Sequence, residues 1–227
     1  MPLHDRSIVE RLYPRRFIRN ATVWCGALAP LAGFATLIAA SRLITGFSWQ
    51  QNNLAALGNS IHTYFWVFRA GMLVTGVVGI PFAAALWRES EQPLKRSATL
   101  IYIASTTSLA ALGYLPIDHE WYLSVELGMH ILMSYTLFIF GTGEILDERP
   151  TRGLATIWLG VLGTTIWLGW AGGLISGNGS GIPEAAGISI FLTWMFVKAG
   201  EYDKGLLADI FHYLAVLRNE IETRIPF

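Results

Sequence analysis

Glu126 and His130 stand four residues apart in "WYLSVELGMHILMSYTLFIF" (121–140), a stretch otherwise suited to hydrocarbon. Ionisable groups inside such a segment are costly, and they mark ligand sites, proton relays or ion pairs. Tyr122, Glu126, His130 and Ser134 recur every four residues. A step of four turns a helix by about 40°, so the set reads as one polar stripe facing the interior of a bundle. His62, Arg69, the run Asp118, His119 and Glu120 in "PIDHEW" (116–121), and Glu184 gather in the same half of the chain's spans. A rise of about 1.5 Å per residue puts Glu126 roughly 7–8 Å below Trp121, His130 roughly 13–14 Å below it, and Arg69 roughly 9 Å below Thr63. Arg69 and Glu126 share a depth. The expectation is that an ionised Glu126 pairs with Arg69, with His130 one turn deeper in the same pocket.

This set allows three kinds of chemistry. Arg69, Asp118, Tyr122, Glu126, His130, Ser134 and Glu184 could line a pocket for a lipid or small ligand. Glu126 or Asp118 could do acid/base work. His62, His119 and His130 are candidate metal ligands, with the first two at the mouth and the third deep. A bis-histidine haem needs two histidines at matched depth, and only His130 lies deep in a span; a single-histidine tetrapyrrole ligand stays open. Each residue also has a plainer role: Arg69–Glu126 as a register-fixing pair, His130 as a donor to a nearby hydroxyl or carbonyl, Asp118 and His119 as loop residues. No HExxH, CxxC, phosphate-loop, GxSxG or dinucleotide signature is present. The cofactor stays unknown.

The elements that must position these residues are membrane helices. Of 227 residues 53% are hydrophobic and 14% charged, against about a quarter charged in a soluble domain. Six apolar runs stand out: 21–41, 63–87, 97–115, 121–142, 154–176 and 182–198. A span needs about 20 such residues; the last run is marginal, with Lys198 expected to snorkel at its end. The first is too long for the apolar core of a signal peptide, which has about 7–15 residues. Fourteen of the 16 Lys and Arg residues fall on one side of this arrangement, leaving only Arg42 and Arg69 on the other. Basic residues mark cytoplasmic loops, so both termini are expected inside a prokaryotic plasma membrane. The fold class is therefore all-α, a polytopic membrane bundle of six transmembrane helices.

Residues 1–20 read as a cytoplasmic basic juxtamembrane segment and 21–200 as the transmembrane domain. Within 201–227, Leu207, Ile210, Leu214, Leu217 and Ile221 repeat at helical spacing. They predict a cytoplasmic amphipathic helix, on the headgroups or folded against the bundle, or else docked on a membrane-protein partner or second copy. The first outward loop, with "FSWQQNNLAALGNS" (47–60), fits either a short interfacial helix or a re-entrant turn. Gly169-x-x-x-Gly173 is read as helix packing. Cys25 is the only cysteine, so no intrachain disulfide forms. Nothing points to nucleic acid; membrane lipid is the expected partner.

Taken together, several short stretches resemble the prokaryotic six-span membrane family grouped as domain of unknown function 998. They are "NNLAALGNS" (52–60) at Leu57 and Gly58, "FRAGMLVTG" (68–76) at Phe68, Gly71 and Gly76, and "GYLPID" (113–118) at Gly113, Pro116 and Asp118. His130 and Glu184 fall where the family carries a histidine and often an acidic residue. Ala55, Ala56 and Arg69 depart from its pattern. A more distant similarity to eukaryotic six-span proteins linked to lipid-anchor remodelling and autophagy implies lipid handling; the family implies no reaction.

The leading functional expectation is a lipid- or small-ligand-binding protein or an accessory subunit of a membrane complex. The alternative is a metal-dependent or acid/base lipid-modifying hydrolase or transferase. A proton-coupled transporter is the weaker third reading, because no matched pair of broken helices is evident.

Overall fold

Apolar segments of this length satisfy their backbone hydrogen bonds in lipid only as helices or closed barrels. The structure, a computed structural model, describes residues 6–175, 179–203 and 205, with the backbone alone over 6–19. Among these residues there is no strand, and the helices are α1 (Arg6–Leu43), α2 (Phe65–Gly79), α3 (Phe82–Arg88), α4 (Pro93–Tyr114), α5 (Tyr122–Leu146), α6 (Pro150–Ala171) and α7 (Gly181–Tyr202). The segment Leu207–Ile221, and with it the expected amphipathic helix, lies outside the described residues.

Among the described residues five segments are long and apolar enough to cross a membrane: Asn20–Leu43, Phe65–Arg88, Tyr122–Leu146, Pro150–Ala171 and Gly181–Tyr202. The protein is thus built as an integral membrane protein. The second expected run is broken into α2 and α3, because Pro81 has no N–H to donate and its ring crowds the preceding turn. α1 begins well before its apolar part, running helically through the basic stretch that the sequence reading set apart.

α4 has 22 residues but falls short of the apolar character of those five segments, for a structural reason. It packs between α2 and α5, and Ala98, Tyr102, Ser105, Thr106 and Leu109 are buried by protein. Its hydroxyls bond back to the helix itself, Thr99 to Lys95 O, Ser105 to Ile101 O and Thr106 to Tyr102 O. A helix wrapped by others needs less hydrocarbon character than one facing lipid.

The helices pack in a ring in the order α1, α2, α4, α5, α6, α7 and back to α1, with α5 also touching α7. The centre is aromatic: Tyr102 stacks on Phe191, and Phe140 meets Trp194 edge-on. Tyr102 Oη donates to Gly79 O at 2.8 Å, so its hydroxyl is satisfied in the core.

Glycines let the backbones of α2 and α4 approach closely. A Cβ on Gly76 would stand 2.4 Å from Ala110 N, and one on Gly113 2.4 Å from Arg69 O. The Gly169/Gly173 pair does something else. Gly173 has φ +73° after the end of α6, and a Cβ there meets nothing within 4 Å. It serves a left-handed turn rather than a helix–helix seam.

Candidate functional site

Each helix runs from a basic end, where Arg88, Lys95, Arg149 and Arg152 lie, to a far end holding the longest connection. That connection folds inward. Residues Leu54–Gly58 form a 3-10 turn in which Leu54, Ala55, Leu57 and Gly58 are buried against α2 and α7. Asn53 opens the turn, its side chain accepting from Ala56 N–H, and Asn52 Oδ1 accepts from Ser48 N–H at 2.8 Å. Of the two forms left open by the sequence, the loop contains a short helix, packed against α2 and α7. Gly179 N–H donates to Gln50 O and Gly181 N–H to Asn52 O, tying the turn to the start of α7.

Glu184 completes this fastening. It lies in the first turn of α7, only 2% exposed. Its Oε2 accepts from Leu54 N–H at 2.5 Å, and its Oε1 accepts from the Ser180 hydroxyl. A carboxylate at a helix N-terminus also suits the helix dipole. From α5, the buried carboxyl group of Glu126 (7% exposed) comes within side-chain hydrogen-bonding reach of Glu184. A hydrogen bond between two carboxyl groups needs a proton on one of them.

Arg69 does not pair with Glu126. Its Nε donates to Gly113 O at 3.3 Å and its second guanidinium nitrogen to Tyr114 O. The last carbonyls of a helix have no partner within it, and Arg69 supplies one to the end of α4. Tyr122 lies between, within electrostatic range of Arg69, Glu126 and Glu184.

The expected polar stripe is split by the rotation that defines it. Three steps of about 40° amount to about 120°, enough to carry the stripe from one neighbour to another. Tyr122 and Glu126 accordingly serve the α7 side. His130, 8% exposed, meets the Trp167 ring of α6 at 5.0 Å between centroids. A Cβ added to Gly187 of α7 would stand 3.0 Å from His130 Nδ1. His130 and Ser134 line a cavity of about 470 Å³ between α5 and α6, whose walls include Leu127, Ile131, Phe138 and Trp167.

The remaining candidates lie apart. Asp118, His119 and Glu120 sit on an exposed turn, where His119 Nδ1 accepts from Trp121 N–H and Glu120 accepts from the Trp121 indole. His62 borders a separate cavity of about 100 Å³ with Ile44, Phe47 and Asn52. Among the described residues no three His, Cys, Asp or Glu side chains are placed to hold a metal ion. The expected grouping of His62, His119 and His130 is therefore not formed, because the exposed turn and the helix interior keep them apart.

A second charged cluster, at the basic end, went unread in the sequence. Lys198 is 2% exposed rather than snorkelling, and its Nζ donates to Glu144 Oε1 at 2.6 Å and to Glu201 Oε2 at 3.0 Å. Thr156 Oγ1 donates to Glu144 Oε2 at 3.0 Å, and Lys95 pairs with Asp147 at 2.8 Å. Both lysines stand over the Phe140 ring, at 5.5 and 5.8 Å. The only available signal was a helical pattern carried past Thr142 and Lys198, which would have put Glu144 and Lys198 inside the bundle.

No curated protein and no solved structure matches the chain. The family model described as "Protein of unknown function (DUF998)" matches residues 27–200, and the chain belongs to that family.

Proposed function

We propose that this protein binds a lipid or other small apolar ligand taken from the bilayer, as a six-span protein of a prokaryotic plasma membrane with both termini cytoplasmic. The observation that carries the reading is the cavity of about 470 Å³ between α5 and α6, of a size usual for small-ligand sites and bordered by Leu127, Ile131 and Phe138. Its apolar walls face the side of the bundle where Leu127, Ile131, Tyr135 and Leu162 are exposed. The orientation is supported by the one-sided placement of Lys and Arg. The spacing of Leu207, Ile210, Leu214, Leu217 and Ile221 supports a membrane-surface or partner-docking role for the C-terminal segment, including self-association.

The hydrolase or transferase reading rested on polar groups converging in one pocket. Asp118 and His119 lie instead on an exposed turn, and Glu126 faces another carboxyl group. Binding is the better supported reading.

The test is brominated phospholipid quenching of tryptophan fluorescence in reconstituted bilayers. Trp167 borders the cavity, so the wild type should lose more emission than Trp167→Phe when lipid occupies it. Equal quenching of the two, together with no small molecule retained through purification in mild detergent, would overturn the proposal. A reporter fused after Phe227 should behave as cytoplasmic and one inserted at Asn178 as external.

A further inference from the structure

α5 and α7 touch along one seam, and titratable side chains tie it at both ends. At the basic end the tie is Lys198 with Glu144, an acid beside its countercharge. At the far end it is Glu126 with Glu184, two buried acids. The charged and titratable groups around that second pair are few. Tyr122 faces it from α5 and Arg69 from α2, but Arg69 already donates to the Gly113 and Tyr114 carbonyls. The Leu54 N–H and the Ser180 hydroxyl both donate to Glu184. His130, one turn further along α5, packs against Trp167 and Gly187 instead. Among the described residues no cation is bonded to either acid.

Two carboxyl groups in contact share one proton, because ionising both sets like charges side by side in a poorly screened space. The two ends of the seam therefore differ in kind. The basic end is held by opposite charges, and the far end by a proton.

The layout decides what that proton holds. Gly179 N–H donates to Gln50 O, Gly181 N–H to Asn52 O, and Leu54 N–H to Glu184. None of these bonds needs the shared proton, and a charged acceptor strengthens the last of them. The outer loop and the start of α7 thus form one unit. The carboxyl contact is the polar link from that unit to α5.

We propose that Glu126 and Glu184 form a proton-operated latch, which holds the outer loop and the start of α7 against α5 while the pair shares a proton. Loss of the proton releases that unit from α5, and the Lys198–Glu144 pair keeps the basic ends together. Rising pH thus opens the seam at its far end only. The latch does not depend on the proposed ligand-binding role.

The test is the distance between spin labels on the full chain in phosphatidylcholine nanodiscs, read by double electron–electron resonance. The pH runs from about 5 to about 10, the range in which buried carboxyl groups titrate. In a Cys25→Ala background, Gln51→Cys and Ser124→Cys carry labels across the outer seam. Thr142→Cys and Val197→Cys carry a control pair across the basic end, and all four positions are exposed. The outer distance should lengthen by about 2 Å or more as pH rises, the scale of helix shifts at switching interfaces. It should shorten again when pH is lowered, and the control distance should stay constant. Glu126→Gln keeps a donor that no rise in pH removes, so its outer distance should hold the low-pH value throughout. Ser180→Ala withdraws a hydrogen bond from the ionised form of Glu184 and should move the midpoint of opening to higher pH. It reports on the latch even if Glu126→Gln fails to fold. A wild-type outer distance that stays constant, or one that lengthens equally in Glu126→Gln, overturns the latch. So does a control pair that lengthens with the outer one, or a Ser180→Ala midpoint at or below that of the wild type.

Discussion

The carboxyl group of Glu126 on α5 meets that of Glu184 on α7, while Arg69 on α2 turns to the last carbonyls of α4. One carboxyl group of such a pair has to act as a donor, and Glu184 is already committed as acceptor to Leu54 N–H and Ser180. Glu126 is therefore the better donor. Glutamine at 126 keeps a donor in nearly the same place, so Glu126→Gln should melt within a few degrees of the wild type. Glu126→Leu removes it and should cost about 1–2 kcal/mol. Thermal melting of the detergent-solubilised chain decides; a glutamine variant as damaged as the leucine one would show that the carboxyl group is held ionised.

Arg69 and Glu126 should behave independently. Removing the guanidinium strands the Gly113 and Tyr114 carbonyls at the end of α4, a loss of about 1–2 kcal/mol. Because that loss involves no bond to Glu126, the double variant Arg69→Gln/Glu126→Gln should equal the sum of the singles within about 0.5 kcal/mol. A coupling energy above about 1 kcal/mol would restore the ion pair that the matching depths suggested.

The helix contacts make opposite demands on two glycines. Alanine at Gly76 would put its Cβ 2.4 Å from backbone atoms of α4, which cannot move aside as a side-chain tip can. Gly76→Ala should therefore cost about 1–3 kcal/mol, the range for overpacking. At Gly169 the nearest neighbour is the Ile175 side chain at 3.6 Å, an ordinary contact, so Gly169→Ala should leave stability unchanged or slightly raised. Fluorescence-detected melting of the two variants separates them, and equal effects would mean the α2–α4 seam is looser than it stands.

Helix identity was legible in the sequence because hydrophobic length alone decides it, and α5 and α7 lie where the apolar runs placed them. Pairing was not legible. Equal depth of Arg69 and Glu126 leaves the direction of each side chain open, and that direction depends on which helix comes next in the ring. Glu184 was visible as a residue before the last span. Its partner Leu54 lies 130 positions away and offers a backbone N–H, which no side-chain pattern announces. The four-residue stripe from Tyr122 to Ser134 was real, but its cumulative rotation carries His130 and Ser134 to another interface. Glu144 was missed because its run was ended at Thr142, and Lys198 was read as snorkelling at the end of its own, whereas a buried countercharge lets a helix stay inside the bundle beyond that point.

The Lys198–Glu144 pair gives the sharpest stability test. Both side chains are nearly inaccessible, their separation is 2.6 Å, and Thr156 satisfies the other oxygen of Glu144. Removing one member leaves a charge buried among Phe140 and its neighbours, at a cost of about 3–5 kcal/mol for pairs of this kind. Lys198 has a second partner in Glu201, so Glu144→Gln should be milder than Lys198→Met, which strands Glu144 and leaves Glu201 with Arg152 alone. The double variant Lys198→Met/Glu144→Gln removes the buried charges together and should recover part of the loss. Melting temperatures of the three variants, read as a cycle, should give a coupling energy above about 1 kcal/mol. If Lys198→Met alone left the melting temperature unchanged, the lysine would have to reach water at the membrane surface, and the buried network would not form.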